Sequence, residues 1–434
     1  MSRGSTTRRA LLGSALAGAG LAGLGLAGLG PLGASRARAA GEAEERRFLF
    51  VFCRGGWDPA CVLAPQFGAS GVDMEPAAER AQSGGIDWVD HPERPSVRAW
   101  FERYHARAAI LRGFEVQSIT HERCRQILMT GQGDVPRDDW GTLLAARGSL
   151  ARALPYLVLG GPSFTDLHGD QVVRVGASGQ LSMLLDGSAV VDGTDIPTRL
   201  PSPTGQALAD GFVRNRTRAL EAIGRSVRDR DLARRYGQAL DRIDALDTLG
   251  LELDTQTDAS SRWPLFTAAL DCLELGASRC ASVEYDGLYS MTFDTHSAGY
   301  LQGYHWEELF GYLLRLSAEL DARPGRLGGR LSDEVTVVVY SEMGRGPKLN
   351  TTEGKDHFTH TSAMLFGAGV AGDRVVGGYD DAGFGRAIDL DDGTPREGGE
   401  TLLAAHLGAT LLAMGDVDPV DAGITAPPIQ ALLD

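Results

Sequence analysis

The chain has 434 residues, of which 57 are acidic and 42 are basic, and its formal net charge at pH 7 is -15. This length allows either two or three domains or one large α/β domain, and a hydrophobic content of 43% is that of an ordinary globular protein. Excess negative charge argues against nucleic acid and against anionic lipid as partners, because both are themselves negatively charged.

The first forty residues have the order of a twin-arginine signal peptide. The pair Arg8-Arg9 precedes a weakly apolar, glycine-rich stretch at 10–34, and a small-residue cleavage site follows at Ala37-Arg38-Ala39. The alternative is an uncleaved anchor, since the stretch is long enough to span a bilayer, but its glycines lower helix propensity. We predict a signal peptide over residues 1–40 that engages the twin-arginine translocase. Its cleavage would leave a periplasmic or extracellular protein with no stable membrane span.

After this segment, predicted strands alternate with predicted helices. The strands are expected at 47–53, 108–111, 156–159, 281–285, 334–340 and 363–366. The helices are expected at 121–129, 138–147, 263–275, 304–322 and 402–414, with a further polar helical stretch at 210–251. Several strands are continuous apolar runs, which is typical of a parallel sheet covered on both faces. We therefore predict a three-layer α/β/α sandwich with a mostly parallel central sheet, as a single domain over 41–434 with a helical insertion near 205–260.

The five cysteines form no C-x-x-C pair, so neither a zinc ribbon nor a thioredoxin-like motif is indicated. An oxidising destination leaves room for one or two disulfides, while an odd number leaves at least one thiol unpaired within the chain. The nearest pairs in sequence are Cys53 with Cys61 and Cys272 with Cys280. Proximity in sequence alone establishes neither bond.

Acids and histidines follow several of the predicted strands, at the sheet edge where α/β proteins bind ligands. Carboxylates and imidazoles that converge at such an edge suit one or two divalent cations, such as zinc or manganese. Two ions would fit phosphoryl or sulfuryl ester chemistry. The candidate metal ligands are Asp58, Asp294, His296, Glu342, Asp356 and His357.

Each candidate taken alone also has a structural alternative. Asp58 is placed to bond turn amides, and Asp294 with His296 is open to a role as a helix cap beside a core histidine. Glu342 is placed to form an ion pair with Arg345. The set is a stronger signal than its members, because these independent explanations would have to hold at every strand end.

The ordered motifs GGWD (55–58), THERCRQILMTG (120–131), DTH (294–296), SEMGR (341–345), Asn350 and GKDH (354–357) resemble a bacterial family known as domain of unknown function 1501. That family is sulfatase-like and belongs to the alkaline-phosphatase superfamily. The resemblance covers nearly all of the chain after the signal segment. It implies a large α/β/α sandwich with a metal-bearing edge and hydrolysis or transfer of phosphate and sulfate esters.

The resemblance also assigns roles to single residues. Asp58 corresponds to the acid after the first strand, and Asp294 with His296 to the acid–histidine pair of one metal. Glu342 stands where the superfamily usually has an Asp-His pair, so an acid occurs here without its histidine. His357 corresponds to the late histidine ligand, with Asp356 beside it.

The position of the nucleophile departs from the family pattern. A sulfatase signature that ends at Thr130-Gly131 places Arg125 on its arginine and His121, instead of Cys124, on its nucleophile. Formylglycine chemistry is therefore not indicated. Thr120 is a candidate hydroxyl nucleophile at a helix N-terminus, and His121 is either a metal ligand or a phosphohistidine-type nucleophile. The alternative is a plain helix start, with Thr120 as its cap.

Together these features predict an exported metal-dependent hydrolase of a small anionic phosphate or sulfate ester. Arg125 or Arg345 would bind the oxyanion of the substrate bidentately. The altered nucleophile and the missing histidine after Glu342 motivate a rival hypothesis, in which the fold is kept but the protein acts in binding or assembly at the cell envelope. The sequence leaves open whether the protein is an enzyme.

Overall fold

The apolar run at 47–53 forms a strand near the middle of an eight-stranded sheet in the computed structural model. The structure describes residues 46–148, 151–175, 188–190, 197–199, 202–224, 226–249 and 261–434. The predicted signal peptide and residues 250–260 of the predicted insertion therefore lie outside the described residues. Residues Glu42–Asp434 group as one compact unit.

The described strands are short and are distributed along the whole chain. They are β1 (Arg47–Cys53), β2 (Glu79–Ser83), β3 (Ile86–Asp90), β4 (Ala108–Glu115), β5 (Tyr156–Leu159), β6 (Val172–Val175), β7 (Ser188–Val190), β8 (Pro197–Arg199), β9 (Cys280–Tyr285), β10 (Val335–Ser341), β11 (Gly344–Arg345), β12 (His357–Phe358), β13 (His360–Gly367) and β14 (Arg374–Gly377). The described helices are α1 (Pro95–Tyr104), α2 (His121–Thr130), α3 (Trp140–Ala146), α4 (Pro203–Ile223), α5 (Val227–Leu249), α6 (Trp263–Glu274), α7 (Leu301–Ala322) and α8 (Ala404–Met414).

The central sheet has the strand order β14-β4-β13-β10-β1-β9-β5-β6. Strands β10, β1, β9, β5 and β6 are mutually parallel. Strand β13 runs antiparallel to both of its neighbours, β10 and β4, and β14 is parallel to β4. Seven strands therefore point one way, and β13 alone begins at the edge where the other seven end.

Both faces of the sheet are covered, and the alternation of side chains along β1 shows this directly. Leu49 and Val51 belong to the core cluster that contains residues of α1, α6 and α7, whereas Phe48, Phe50 and Phe52 belong to the cluster with residues of α2, α3 and α8. Burying each phenylalanine contributes roughly 1.5–3 kcal/mol to folding. The predicted α/β/α sandwich with a mostly parallel sheet is confirmed.

Most predicted elements are present with boundaries that shift by a few residues. Strand β4 was predicted over 108–111 but continues through Gly113 to Glu115, and its ladder to β13 has an irregularity at Thr361/Ser362. The β2–β3 hairpin, helix α1 and strands β6 and β14 were not predicted. These elements lie towards the sheet margins or outside the central sheet.

The polar helical stretch forms two packed helices, α4 and α5. Among the described residues, no helix has both the length and the hydropathy that crossing a bilayer requires.

All five cysteines lie in the described part of the chain and are buried and free. Neither of the two pairs that are nearest in sequence is bonded.

Candidate metal centre

Four chain segments meet at the edge where the parallel strands end. Helix α2 follows β4 and begins at His121, while Asp294 lies in the loop after β9 and Glu342 directly follows β10. His357 precedes the reversed strand β13, so it reaches the same edge from the opposite chain direction. The topology therefore collects these side chains, which are far apart in sequence.

Gly55, two residues after β1, allows the loops at this edge to approach each other. Its φ is +114°, and a Cβ there would lie 2.5 Å from the backbone nitrogen of Asp294. Its N–H donates to both carboxylate oxygens of Glu342, each at 3.0 Å. A side chain at position 55 would push the Asp294 loop away from the sheet edge.

One carboxylate and three imidazoles converge in this space. The Asp294 carboxylate lies 3.3 Å from His121 Nε2, 3.3 Å from His296 Nε2 and 3.4 Å from His357 Nε2. The two Nε2 atoms of His296 and His357 are 3.0 Å apart. Ligand atoms around a tetrahedral zinc ion, with bonds of about 2.0–2.1 Å, are separated by roughly 3.3 Å, so each of these imidazole–carboxylate spacings is compatible with two ligands of one ion.

Each imidazole is oriented by an acceptor at its other ring nitrogen. Nδ1 of His357 lies 2.7 Å from the carbonyl oxygen of Ile119, which can only accept a hydrogen bond. Nδ1 of His296 faces the Asp356 carboxylate at 3.3 Å, and Nδ1 of His121 faces the Glu342 carboxylate at 3.0 Å. Metal-bound histidines are commonly held in this way, because a proton fixed on one nitrogen leaves the other free to ligate.

Charged groups of both signs meet in the cluster. Hydrogen bonds from His121 and Arg345 hold the pKa of Asp294 below its usual range. Hydrogen bonds to Asp294 and Glu342 raise the pKa of His121 to about 9. Burial, followed by the charge of Arg345, lowers the pKa of His357, so this ring is neutral at pH 7. The site thus combines an ionised carboxylate with at least one unprotonated imidazole.

The residues present fit a divalent ion. His121 Nε2 is buried and lies 3.3 Å from the Asp294 carboxylate. Within the part of the chain that the structure describes, one group of potential ligands lies close enough for a single ion, with ligand atoms of His121, Asp294 and His357 all within 4.8 Å of one another. His296 lies beside this group, 3.3 Å from the Asp294 carboxylate and 3.0 Å from His357 Nε2, but it is not a member of the set whose ligand atoms are all within 4.8 Å of one another. Nitrogen and carboxylate ligands of this kind suit zinc and also manganese.

Two predicted ligands orient the cluster instead of joining it. Glu342 is fully buried, and both its oxygens already accept the Gly55 N–H while one also accepts from His121. Burial alone would raise the pKa of Glu342, but hydrogen bonds from His121 and Gly55 and the charge of Arg125 lower it on balance. Asp356 is exposed and accepts from His296 and from Asn350 Nδ2. Both carboxylates face the nitrogen that points away from the ion site.

Asp58 lies outside the cluster, in a buried ion pair. Its Oδ2 accepts from Lys355 Nζ at 2.7 Å, and its Oδ1 caps the short helix at Pro59–Cys61 by accepting from Ala60 N–H. Lys355 also donates to the carbonyl oxygen of Asp73. The charge of Asp58 is thus compensated within the protein, which differs from the predicted role as a metal ligand.

The two predicted oxyanion-binding arginines differ in availability. Arg345 is buried and donates to the carbonyl oxygens of Gly55, Gly56 and Lys355 and, at 2.7 Å, to Asp294. Its donors are therefore committed, and the predicted contact with substrate is not supported. Arg125 on α2 reaches Glu342 at 3.4 Å and remains partly exposed. Of these two arginines, Arg125 is the one that keeps donors for an anion.

The predicted hydroxyl nucleophile does not contact the cluster in the described structure. Thr120 is exposed, its hydroxyl lies 3.4 Å from that of Ser118, and it precedes α2 without a side-chain cap hydrogen bond. Cys124 is buried, and burial raises its pKa to about 11. Of the two roles predicted for His121, the geometry fits the ligand.

Sequence reasoning missed three contributors to this site. The Ile119 carbonyl carries no side-chain signal, and Lys355 was read only as part of the GKDH motif. Gln302 on α7 accepts from Asp58 N–H and donates to the Phe293 carbonyl and the Thr295 hydroxyl, which ties two of the loops together. Only Lys355, which directly precedes Asp356 and His357, offered a signal in the sequence.

Comparisons with known proteins give one family match. No curated protein matches the chain significantly. Among solved structures, the chain is similar to a protein in complex with its substrate D-glucosamine-2-N,6-O-disulfate, at 10% identity and a TM-score of 0.37, covering 89% of this chain and 79% of that chain. It is also similar to a protein from a study of glycosaminoglycan metabolism by Bacteroides thetaiotaomicron, at 10% identity and a TM-score of 0.38, covering 88% and 75%.

The family match includes three of the four converging side chains, Asp294, His296 and His357. The sequence model described as "Protein of unknown function (DUF1501)" matches residues 275–392. Over these residues, the chain therefore matches the family that its motifs predicted, the DUF1501 family.

Proposed function

We propose that this protein is an exported, metal-dependent hydrolase of a phosphate or sulfate ester. The observation that carries the proposal is the convergence of three oriented Nε2 atoms on the Asp294 carboxylate at spacings of 3.3–3.4 Å. Zinc is the favoured ion and manganese the second choice. A bound divalent ion would polarise the ester oxygen and lower the pKa of a water molecule at the site.

The protein's own side chains would hold the ion, orient its ligands and bind the substrate. His121, His296 and His357 hold the ion with Asp294, and Glu342 and Asp356 keep two of the rings in the ligating orientation. Arg345 fixes Asp294 against the Gly55–Gly56 backbone. Arg125, partly exposed beside Glu342, is placed to bind the anionic group of the substrate. The choice of an anionic ester also rests on the family resemblance.

Water is the nucleophile that fits the described side chains best. The Thr120 hydroxyl faces Ser118, and the Cys124 thiol is buried and protonated at neutral pH. The same observation favours the rival, a protein that keeps the fold and the site but binds a partner at the cell envelope. Turnover of an ester separates the two, because the rival predicts metal binding without catalysis.

The direct test is hydrolysis of phosphate and sulfate monoesters by the purified protein with added zinc or manganese. We expect turnover by the wild type and loss of at least about 100-fold in His357→Ala and Asp294→Ala, since removal of a ligand removes the ion. His105→Ala is the matched control, because His105 pairs with Asp373 away from the site. No turnover by a metal-loaded wild type would reject the hydrolase and leave the rival.

Export is proposed on the signal segment alone. We expect the mature protein to begin near residue 40 and to be found in the periplasm or outside the cell. Substitution of Arg8 and Arg9 by Lys should block translocation through the twin-arginine route. The mass of the exported product distinguishes cleavage from an uncleaved anchor.

A further inference from the structure

The helix α4 exposes apolar side chains that neither the core nor the metal site uses. Leu208, Phe212 and Ile223 are 72%, 71% and 69% exposed. Spacings of four and eleven residues place them on one side of a helix with 3.6 residues per turn. Thr217, which falls on the opposite side, is buried and packs against Gly237 of α5. The apolar side of α4 therefore faces away from its helical partner.

The first residue of α5 is also an exposed apolar side chain. Val227 is 75% exposed and lies four positions after Ile223, the last residue of α4. We call Leu208, Phe212, Ile223 and Val227 the outer apolar stripe. Helix α5 is tied to the rest of the protein by Arg235 and Arg242, which both bond to Asp170. The stripe thus lies on a helix pair that is anchored through its other helix.

Arginines flank the stripe, and their charge is not neutralised locally. Arg216 and Arg218 on α4 and Arg228 on α5 are exposed, and none of them forms an ion pair with another residue in the described ranges. Residues 202–249 contain nine arginines and seven acids, a net charge of +2, in a chain whose net charge is -15. An apolar stripe bordered by arginines is the pattern of a helix that lies in a membrane interface.

We propose that the outer apolar stripe docks on an anionic lipid surface. Its apolar side chains would enter the boundary between headgroups and acyl chains, while Arg216, Arg218 and Arg228 would meet lipid phosphates. The acidic remainder of the protein opposes this weakly, because charges beyond about 8–10 Å are screened at physiological ionic strength. This docking is independent of the proposed hydrolysis.

Two other occupants fit the observations less well. A second copy of the chain, paired stripe to stripe about a twofold axis, would bring Arg216 and Arg218 near the same arginines of its partner. A folded protein partner would need a groove shaped to the protruding side chains of a helix and a turn. A lipid surface needs no such groove and supplies the opposite charge.

The test is co-sedimentation of the full chain with phosphatidylcholine vesicles, with and without phosphatidylglycerol. Residues 1–40 are themselves basic and apolar, so every variant keeps them and only differences between variants are read. We expect Leu208→Ser/Phe212→Ser to weaken binding at least about tenfold. Arg216→Gln/Arg218→Gln should weaken binding by roughly fivefold per arginine in anionic vesicles only, and added salt should reduce that difference.

Matched controls are Leu327→Ser and Arg386→Gln, which alter an exposed leucine and an exposed arginine outside the helix pair. Equal vesicle binding by the stripe variant and the Leu327 control would overturn the proposal. Light scattering on the same samples addresses self-association. A dimeric wild type that becomes monomeric in the stripe variant, with lipid binding unchanged, would show that the stripe pairs with a second copy and would also overturn it.

Discussion

Asp294 and Asp58, two acids near the sheet edge, were both predicted to be metal ligands. In the folded protein they have different neighbours. In the His121–Asp294–His296–His357 cluster, the ring nitrogens that do not face Asp294 are bonded to acceptors, which orients the other ring nitrogens towards Asp294. In the other group, the Asp58 carboxylate is compensated by Lys355 at 2.7 Å and buried. Asp294, which also accepts from Arg345, thus differs from Asp58 in the imidazoles that surround it.

Removal of Lys355 should produce the largest stability effect that separates the two groups. Lys355→Ala would leave Asp58 buried without its partner, and we expect a loss of about 3–5 kcal/mol in the free energy of unfolding. Denaturation with urea measures it. Lys348→Ala, which breaks an exposed pair with Asp73, should cost less than about 1 kcal/mol. Similar losses in both variants would show that the Asp58–Lys355 pair is not the structural element inferred here.

Substitution of Glu342 tests whether the buried carboxylate orients His121. Glu342→Gln weakens the acceptor at His121 Nδ1, so we expect metal affinity to fall about 10- to 100-fold while the stoichiometry is kept. Titration with zinc against a competing chelator measures this. Glu307→Gln, on α7 and bonded to Ser96, is the control. A stoichiometry that falls to zero would make Glu342 a ligand.

A smaller effect is expected at Asp356, because this carboxylate is exposed and also accepts a hydrogen bond from Asn350. Asp356→Ala should weaken metal binding by about tenfold, at the lower end of the range for outer-shell partners. Asp356→Asn keeps an oxygen that accepts from His296 and should recover most of the affinity. Equal losses in the two variants would indicate that the negative charge, and not the hydrogen bond, matters.

The smallest expected effect is a loss of stability at alkaline pH, where Lys355, the partner of Asp58, loses its proton. Burial alone would lower the pKa of Lys355, but the charge of Asp58 raises it on balance. A lysine whose pKa is raised in the folded state adds stability that is present below its unfolded pKa of about 10.4 and is lost as the pH rises further. The unfolding free energy of the wild type should therefore fall more steeply above this pH than that of Asp58→Asn/Lys355→Met. Parallel curves would contradict this.

Much of the fold could be predicted from the sequence, because the central strands are uninterrupted apolar runs. The direction of β13 could not, since a run such as Ala363–Phe366 carries no information about orientation. The β2–β3 hairpin was hidden because Glu79–Ser83 is mostly polar. Helix α1 did leave a signal, with Pro95 at its start and apolar residues every three or four positions after it.

The types of residue at the site could also be predicted, but their roles could not. Asp58 and Lys355 are 297 positions apart, and Gly55 and Glu342 are 287 apart, so these pairings exist only in the folded chain. The same holds for Arg345, whose donors are taken by the Gly55, Gly56 and Lys355 carbonyls. A sequence shows which groups could ligate, whereas the fold decides which groups are already bonded.

The most direct test of the central claim is the metal content of the purified protein, measured by elemental analysis. We predict about one equivalent of zinc or manganese in the wild type, none in Asp294→Ala or His357→Ala, and about one in Asp58→Asn/Lys355→Met, which removes both partners of the buried pair. A wild type that holds no metal and binds none on addition would contradict the metal centre. Loss of the ion in the Asp58 double variant would contradict the distinction between the two groups.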